Sequence, residues 1–342
     1  MVKLPRTIDE NLHFLCAEID GQLVGLQGYF KDPGHTEAQK VLLRAGYSYN
    51  LAAKVNNASM QGLSRKKVSY ERQNLLRNVQ LVARNLDLIS RLARRSLTHA
   101  ENVERKEYLR PEAHAKIVTH VRASLKLIQP ALARADSKTA VRIGQTRDKL
   151  EDLYDRVFRA LTADMRKSKH TADLANSLLV ANEMRRMGDA LQSMSEAILS
   201  VNIGQPVQFE RYFTLKSLLP DTKDEDKPEL EPLAETRSGS AISSVRSRDP
   251  SGEAVNAVFK DEELRKVREE RAGVKSWHSI YPGLAPKILS YEKRGQSAAL
   301  LIEHLPGYTF EQLVLSERGG LLAEAQKKLA KTLRDVWAST RM

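Results

Sequence analysis

The sequence contains little of three things that would point to other classes of protein. Cys16 is the only cysteine in 342 residues, so an intrachain disulfide is impossible and the reducing cytosol is the expected compartment. Aromatic residues make up only 6% of the chain, which favours helical bundles over sheets. No apolar run approaches the ~20 residues of a membrane span, and the first residues lack the pattern of a signal peptide. We therefore expect a cytoplasmic protein that reaches a membrane only through a partner.

Basic side chains outnumber acidic ones, 55 to 43, which gives a net charge of +12. Most of this excess lies in residues 1–210. An excess of this kind suits anionic partners such as phosphate groups, nucleic acid or an acidic membrane surface, and it also suits an ordinary helical surface. The basic residues are scattered and no aromatic residues alternate with them, so we do not expect nucleic-acid binding.

Length and composition predict more than one domain. Residues 1–205 contain only helical patterns. Residues 206–236 are acidic and rich in proline, and they predict a linker. Strand-like runs occur only in residues 237–342. The predicted fold class is therefore mostly α, with a helical domain, a linker and a small α+β domain.

The first of these segments contains six patterns in which apolar residues recur every three or four positions. The six predicted helices are 8–30, 36–63, 67–99, 111–134, 137–167 and 170–202. The third and the sixth carry the most regular apolar stripes, and each is the last helix in a set of three. This repetition predicts two tandem antiparallel three-helix bundles, with the third and sixth helices at their centres.

The sixth helix contains the string Arg186-Met187-Gly188-Asp189, followed seven residues later by Glu196. A glycine within a helix costs about 1 kcal/mol relative to alanine, so Gly188 predicts the close approach of another helix or an ion. These residues resemble the signature helix of PhoU-type phosphate-uptake regulators, whose motif is Leu-Glu-Arg-Ile-Gly-Asp and then Asn-Ile-Ala-Glu. The resemblance covers about the first 205 residues and implies two tandem three-helix bundles.

The fifth predicted helix presents Asp148, Asp152 and Asp155 at i, i+4 and i+7. Such a row of carboxylates repels itself unless a cation neutralises it, and carboxylate oxygens suit Mg, Mn or Fe. This string resembles the acidic helix that shares a metal cluster with the signature helix in PhoU proteins. The resemblance implies a divalent metal ion bound by a set of four residues. The members of that set are Asp148, Asp152, Asp189 and Glu196.

Two arginines leave an alternative open. Arg185 stands where the family has a glutamate, and Arg91 stands where the corresponding motif of the third helix has an aspartate, with Asp87 at its glutamate position. A guanidinium group at either position can substitute for the metal ion. The helical domain would then contain salt bridges and no metal.

The C-terminal segment begins with a small-residue loop that includes Ser238 and Gly239, whose backbone N–H groups could approach phosphates. It continues with a strand-like run at Ala254–Lys260 and a helical pattern at Asp261–His278. A short apolar run, Ala298–Glu303, follows before a Pro-Gly turn.

This order resembles the nucleotide-binding lobe of aminoglycoside phosphotransferases and other kinase-like enzymes. The resemblance implies ATP as the ligand, with Lys260 contacting the phosphates and pairing with Glu270. Backbone groups from Glu303 to Leu305 would hold the adenine, and the loop at Ser238 would lie near the phosphates.

The catalytic part of such a lobe is missing, because no His-x-Asp string follows Glu303. We therefore expect no catalytic residue and a regulatory protein of phosphate uptake or phosphate signalling. Its expected partner is a phosphate transporter or a sensor kinase, and a homodimer is compatible. One alternative is an ATP-dependent phosphotransferase whose catalytic lobe lies beyond residue 342 of a longer chain. Another is a purely structural helical adaptor.

Overall fold

A computed structural model of the chain divides into two compact units, Met1–Phe209 and Glu210–Met342. The structure describes residues 3–204, 206–218, 229–235, 241–248, 254–294, 297–315 and 319–340. Within these ranges no helix has both the length and the apolar character needed to cross a membrane. The fold class agrees with the sequence prediction: helical bundles come first and a small α+β part follows.

The first unit is built from helices joined by short turns. They are α1 (Arg6–Lys31), α2 (His35–Leu42), α3 (Ala45–Leu63), α4 (Tyr70–Glu101), α5 (Pro111–Arg134), α6 (Ser137–Gly144), α7 (Thr146–Met165) and α8 (Thr171–Ile203). A short 3-10 turn at Lys106–Leu109 precedes α5. Two of the predicted helices, 36–63 and 137–167, are each divided into a short helix and a long one.

Next to the break between α6 and α7 lies a glycine in close contact with an aromatic ring. Gly144 ends α6, and a Cβ atom at this position would overlap the ring of Phe209. The Phe209 side chain is buried, with 5% exposure, so the glycine makes room for an aromatic side chain 65 positions further along the chain. The apolar periodicity of residues 137–167 continues through this break and gives no sign of it.

Helices α1, α3 and α4 pack together as one three-helix bundle, and α5, α7 and α8 form the second. The short helix α2 packs against α1, and α6 packs against α8. The bundles are also in contact with each other, because α4 packs along α8 and α1 packs along α5. The apolar stripes of the third and sixth predicted helices therefore serve both a bundle and the interface between bundles.

Four residues from the centres of these stripes are fully buried: Leu86, Ile89, Leu191 and Met194. This confirms the prediction that α4 and α8 are the central helices. Burial of a leucine or methionine side chain contributes ~1.5–3 kcal/mol, so this paired stripe is a main source of stability in the unit.

The second unit contains helices on both faces of a five-stranded antiparallel sheet of order β1-β2-β3-β5-β4. Its elements are α9 (Phe209–Leu218), β1 (Glu229–Glu235), β2 (Ala241–Arg248), β3 (Ala254–Glu263), α10 (Leu264–Ile280), β4 (Ile288–Arg294), β5 (Ser297–Glu303), α11 (Phe310–Leu315) and α12 (Gly319–Thr340). The strands predicted at 254–260 and 298–303 and the helix predicted at 261–278 are confirmed as β3, β5 and α10.

The side chains of β5 alternate between two apolar clusters. Ala299 and Leu301 pack with Leu215 of α9 on one face, whereas Ala298 and Leu300 pack with Val267 of α10 on the other. A strand that is covered on both faces needs apolar residues at every position. This explains why its sequence is a continuous apolar run and not an alternation.

Helix α9 and strand β1 both lie within residues 206–236, for which the sequence predicts a linker. Phe209, Tyr212 and Leu215 are buried at helical spacing, and this apolar stripe is why α9 forms and packs. The acidic composition of the surrounding residues hides the stripe in the sequence.

We expect Leu86→Asp to lower the free energy of unfolding of the first unit by about 3–5 kcal/mol, because it places an unpaired charge in the core. Leu81→Asp on the same helix is the matched control. Leu81 is 45% exposed, so its replacement should change stability by less than about 0.5 kcal/mol. Urea unfolding followed by circular dichroism measures both, and equal losses would contradict the assigned core.

Candidate functional site

Helices α7 and α8 come into close contact at Gly188. A Cβ atom at this position would lie 3.2 Å from Cα of Arg147 and 3.3 Å from Cδ1 of Leu150. The first of these is a backbone atom, so the contact cannot be relieved by a side-chain rotation. The prediction that Gly188 allows the close approach of another helix is confirmed.

Four charged side chains flank this contact, and we call them the α7–α8 charge cluster: Arg147, Glu151, Arg185 and Asp189. Nε of Arg147 donates to Oδ1 of Asp189 at 3.0 Å, and Nη1 of Arg185 donates to Oε2 of Glu151 at 3.1 Å. Arg185 also lies 3.9 Å from Oδ2 of Asp189. Charges of both signs therefore alternate across the two helices.

The environment of Arg185 favours its charged form. Partial burial disfavours the charge, but the hydrogen bond and the negative charge of Glu151, together with Asp189, outweigh it and raise the pKa of Arg185. The guanidinium group also lies over the ring of Tyr154, 5.5 Å from the ring centre, where a cation–π contact adds to the stabilisation. Arg185 is thus a permanently charged side chain held between α7 and α8.

The predicted metal set is arranged differently. Asp148 and Asp152 lie on the exposed side of α7, because buried Leu150 and Val157 turn residues 147 and 151 toward α8. Asp189 is bound by arginine, and the carboxylate of Glu196 accepts hydrogen bonds from the backbone N of Phe209 at 3.0 Å and from Gln192 at 3.4 Å.

Over the ranges that the structure describes, no three His, Cys, Asp or Glu side chains are grouped so that they could hold a metal ion. The residues present at the α7–α8 contact do not fit the divalent metal that the resemblance implies, because guanidinium groups already neutralise Asp189. The alternative of a salt-bridged core agrees with these contacts.

At the equivalent position of the first bundle, the central helix α4 carries an ion pair in which the aspartate precedes the arginine. Nε of Arg91 lies 3.1 Å from Oδ2 of Asp87, one helical turn apart, whereas in α8 the arginine at 185 precedes the aspartate at 189. In both bundles a guanidinium group therefore stands beside the carboxylate on the central helix.

A buried polar network in the first bundle was not predicted. Glu18 accepts hydrogen bonds from Arg44 at 2.7 and 2.6 Å and from Gln22 at 3.0 Å. Gln22 accepts from Ser90 at 2.5 Å, and Ser90 accepts from Arg94 at 2.6 Å. Burial raises the pKa of Glu18, but the bonds from Arg44 and Gln22 outweigh it and the net pKa is lowered.

The sequence contained a signal for this network. Glu18 and Gln22 are four residues apart and fall among the apolar positions of α1, between Leu15, Ile19 and Leu23. Polar side chains at core positions require hydrogen-bond partners. Arg44 and Ser90 come from other helices, however, and only the packing identifies them.

In the second unit, Lys260 of β3 forms an ion pair with Glu270 of α10. The predicted contact between these two residues is confirmed. Glu269, the competing candidate, lies 3.1 Å from Arg265 instead. The Lys260 side chain is 19% exposed and that of Glu270 is 33% exposed, so the ion pair holds the ammonium group in a partly buried position between β3 and α10.

Other residues predicted to bind nucleotide are placed as follows. Glu303 is the last residue of β5, and its backbone N–H donates to the carbonyl of Lys287 at 2.8 Å. Its carboxylate Oε2 accepts a hydrogen bond from the backbone N–H of Lys287 at 3.1 Å. Leu305 is 56% exposed in the following turn. Ser238 and Gly239 lie outside the described residues, between strands β1 and β2.

Gly188→Ala should lower the stability of the first unit by about 1–2 kcal/mol, because overpacking against the α7 backbone exceeds the gain in helix propensity. Gly21→Ala in α1 is the matched control, since nothing lies within 4 Å of its Cβ position. That change should raise stability by up to about 1 kcal/mol. Urea unfolding tests both signs, and stabilisation by the change at 188 would contradict the close contact.

Residues 115–198, from α5 to α8, match the family model described as PhoU domain. Among solved structures, the chain is similar to PhoU from Pseudomonas aeruginosa, with a TM-score of 0.52, 16% identity and coverage of 57% of this chain and 94% of that one. It is also similar to the phosphate transport system regulatory protein PhoU from Streptococcus pneumoniae. That match has a TM-score of 0.55, 10% identity and coverage of 59% and 96%.

No curated protein matches the chain by sequence. At the identities above, the two structural likenesses show the fold and nothing further. The comparisons show that the chain has PhoU-like helical bundles and that residues 115–198 match the PhoU domain model.

Proposed function

We propose that this protein regulates phosphate transport by binding a protein partner through its helical unit. The observation that carries the proposal is the PhoU domain match at residues 115–198, which includes the α7–α8 contact and most of the signature helix. The similar protein of Streptococcus pneumoniae is named as a regulatory protein of a phosphate transport system.

The chemistry of the helical unit supports regulation by contact. The acidic and basic side chains at the α7–α8 contact neutralise one another and leave no unpaired nucleophile or general base at that contact. A rigid scaffold with a basic surface is suited to recognising another protein. The partner we propose is a component of a phosphate transporter or a sensor kinase that responds to phosphate.

The proposal predicts that cells lacking the protein show altered uptake of radiolabelled phosphate and express phosphate-starvation genes when phosphate is plentiful. The wild-type chain should reverse both changes. The chain with Leu86→Asp should fail, because its helical unit is destabilised, while Leu81→Asp should succeed. Unchanged uptake and unchanged expression in cells without the protein would rule out this role.

We further propose that the second unit binds ATP. The ion pair between Lys260 and Glu270 favours this, because it fixes a cation where phosphate oxygens could approach. The register of β3 against β5 adds support, since Lys260 is paired with Leu300 and Ala257 is paired with Glu303. Three residues along a strand span about 10 Å, which is a length suited to a nucleoside between the turn after β5 and the lysine.

Lys260→Ala should weaken the binding of a fluorescent ATP analogue by about 10- to 100-fold, the effect of losing a charged hydrogen-bond donor. Lys266→Ala is the matched control. Lys266 forms a similar ion pair, 2.7 Å from Glu262, on the exposed surface of α10, and its loss should leave binding unchanged. Equal binding by all three proteins would contradict an ATP site at Lys260.

A further inference from the structure

Helix α12 carries an apolar stripe that the described part of the second unit leaves uncovered. Leu329, Leu333 and Trp337 are spaced four residues apart, and they are 48%, 60% and 69% exposed. Leu322 and Val336, each seven residues from Leu329, are half-buried, and α12 contacts α10 and α11. The helix thus uses one part of its apolar face for packing and presents the other part to solvent.

The opposite face of α12 is basic. Lys327, Lys331 and Arg334 lie there, with Lys328 at its margin, and all four are exposed. None of them has a carboxylate partner in the part of the chain that the structure describes. Only Glu324 and Asp335 supply negative charge to this helix.

We propose that α12 binds to an anionic lipid surface, lying in the plane of the membrane interface. An apolar face with leucine and tryptophan beside a face of lysine and arginine is the pattern of interfacial helices. Such a helix buries its apolar residues at the acyl boundary while its basic residues contact headgroup phosphates. Trp337 lies near the end of the stripe, and its indole ring has one apolar and one polar side, which suits the same boundary.

The extent of the stripe favours lipid over a second copy of the chain. A stable dimer buries about 800 Å² per partner and involves some 20–30 residues. Three large apolar side chains in one line are too few for an interface of this size. They suffice for weak, reversible membrane binding when several basic residues add their attraction for anionic headgroups.

This inference goes beyond the proposed function and differs from the expectation that the chain reaches a membrane only through a partner. A regulator of transport that binds lipid itself would be concentrated at the membrane where its partner lies. Membrane binding and phosphate regulation are measured separately, so either can fail without the other.

The test uses the full chain with Trp277→Phe, so that Trp337 is the only tryptophan and reports its own surroundings. Sedimentation with vesicles of phosphatidylcholine containing about one-third phosphatidylglycerol should recover the protein, and Trp337 fluorescence should shift to shorter wavelength. Vesicles of phosphatidylcholine alone should bind it at least tenfold more weakly.

Two pairs of variants separate the contributions. Lys327→Gln with Lys331→Gln should weaken binding to anionic vesicles roughly 30-fold, whereas the control, Lys66→Gln with Lys67→Gln in the first unit, removes the same charge and should change it less than threefold. Leu329→Gln with Leu333→Gln should abolish sedimentation. Leu43→Gln, at a leucine that is 78% exposed, should not.

Other results would overturn the proposal. They are no binding to anionic vesicles, equal binding to both kinds of vesicle, or equal losses in the α12 variants and their controls. A wild-type dimer that becomes a monomer with Leu329→Gln and Leu333→Gln would assign the stripe to a second copy of the chain instead of lipid.

Discussion

Helix α8 is the element on which the rest of the helical unit depends, because it packs against α4, α5, α6 and α7. A helix with neighbours on so many sides must be apolar or small almost all round. Two of its buried polar side chains bind to neighbouring elements. Asp173 accepts from the backbone N–H groups of Glu104 and Arg105 at 2.9 and 3.3 Å, and Ser195 donates to the carbonyl of Ala140 at 2.6 Å. These bonds tie α8 to the turn before α5 and to α6.

The same constraint explains the charge cluster at the α7–α8 contact. Gly188 lets the helices approach, and the approach brings Asp189 within reach of Arg147 of α7, while Arg185 lies one turn before Asp189 on α8 itself. A carboxylate at such a contact requires a cation. At the α7–α8 contact the guanidinium groups of Arg147 and Arg185 lie beside the carboxylate. Pairs that are more than one-third exposed contribute little to stability, and their main effect is to set how the helices face one another.

Sequence periodicity predicted the helical unit well, because its stripes are long and its core is built from local 3.6-residue repeats. It could not predict which side of α7 faces α8. The row Asp148, Asp152 and Asp155 is more conspicuous in the sequence than Arg147 and Glu151, but a rotation of one residue about the helix exchanges the two sets. That rotation is fixed by Leu150 and Val157, whose burial becomes apparent only from the packing.

In the second unit, β3, α10 and β5 were predictable because their patterns are contiguous, and so was the contact between Lys260 and Glu270. Strands β1, β2 and β4 were not: each pairs with the strand next to it in the sequence, but their residues carry no clear alternation of apolar and polar side chains. Helix α9 was hidden by its acidic surroundings. Polar network residues such as Arg44 and Ser90 come together from separate helices, and no single stretch of sequence contains that information.

We propose that guanidinium groups take the place of a metal ion between α7 and α8, and thermal unfolding with and without Mn²⁺ tests this. A metal ion that binds only the folded state, present at a free concentration of 100 times its dissociation constant, would stabilise the fold by ~2.7 kcal/mol. We expect the same wild-type Tm in Mn²⁺ and in EDTA, whereas Arg185→Glu should lower the Tm and Mn²⁺ should restore part of the loss. A wild-type Tm that rises by several degrees in Mn²⁺ would show that a metal ion binds and would overturn this proposal.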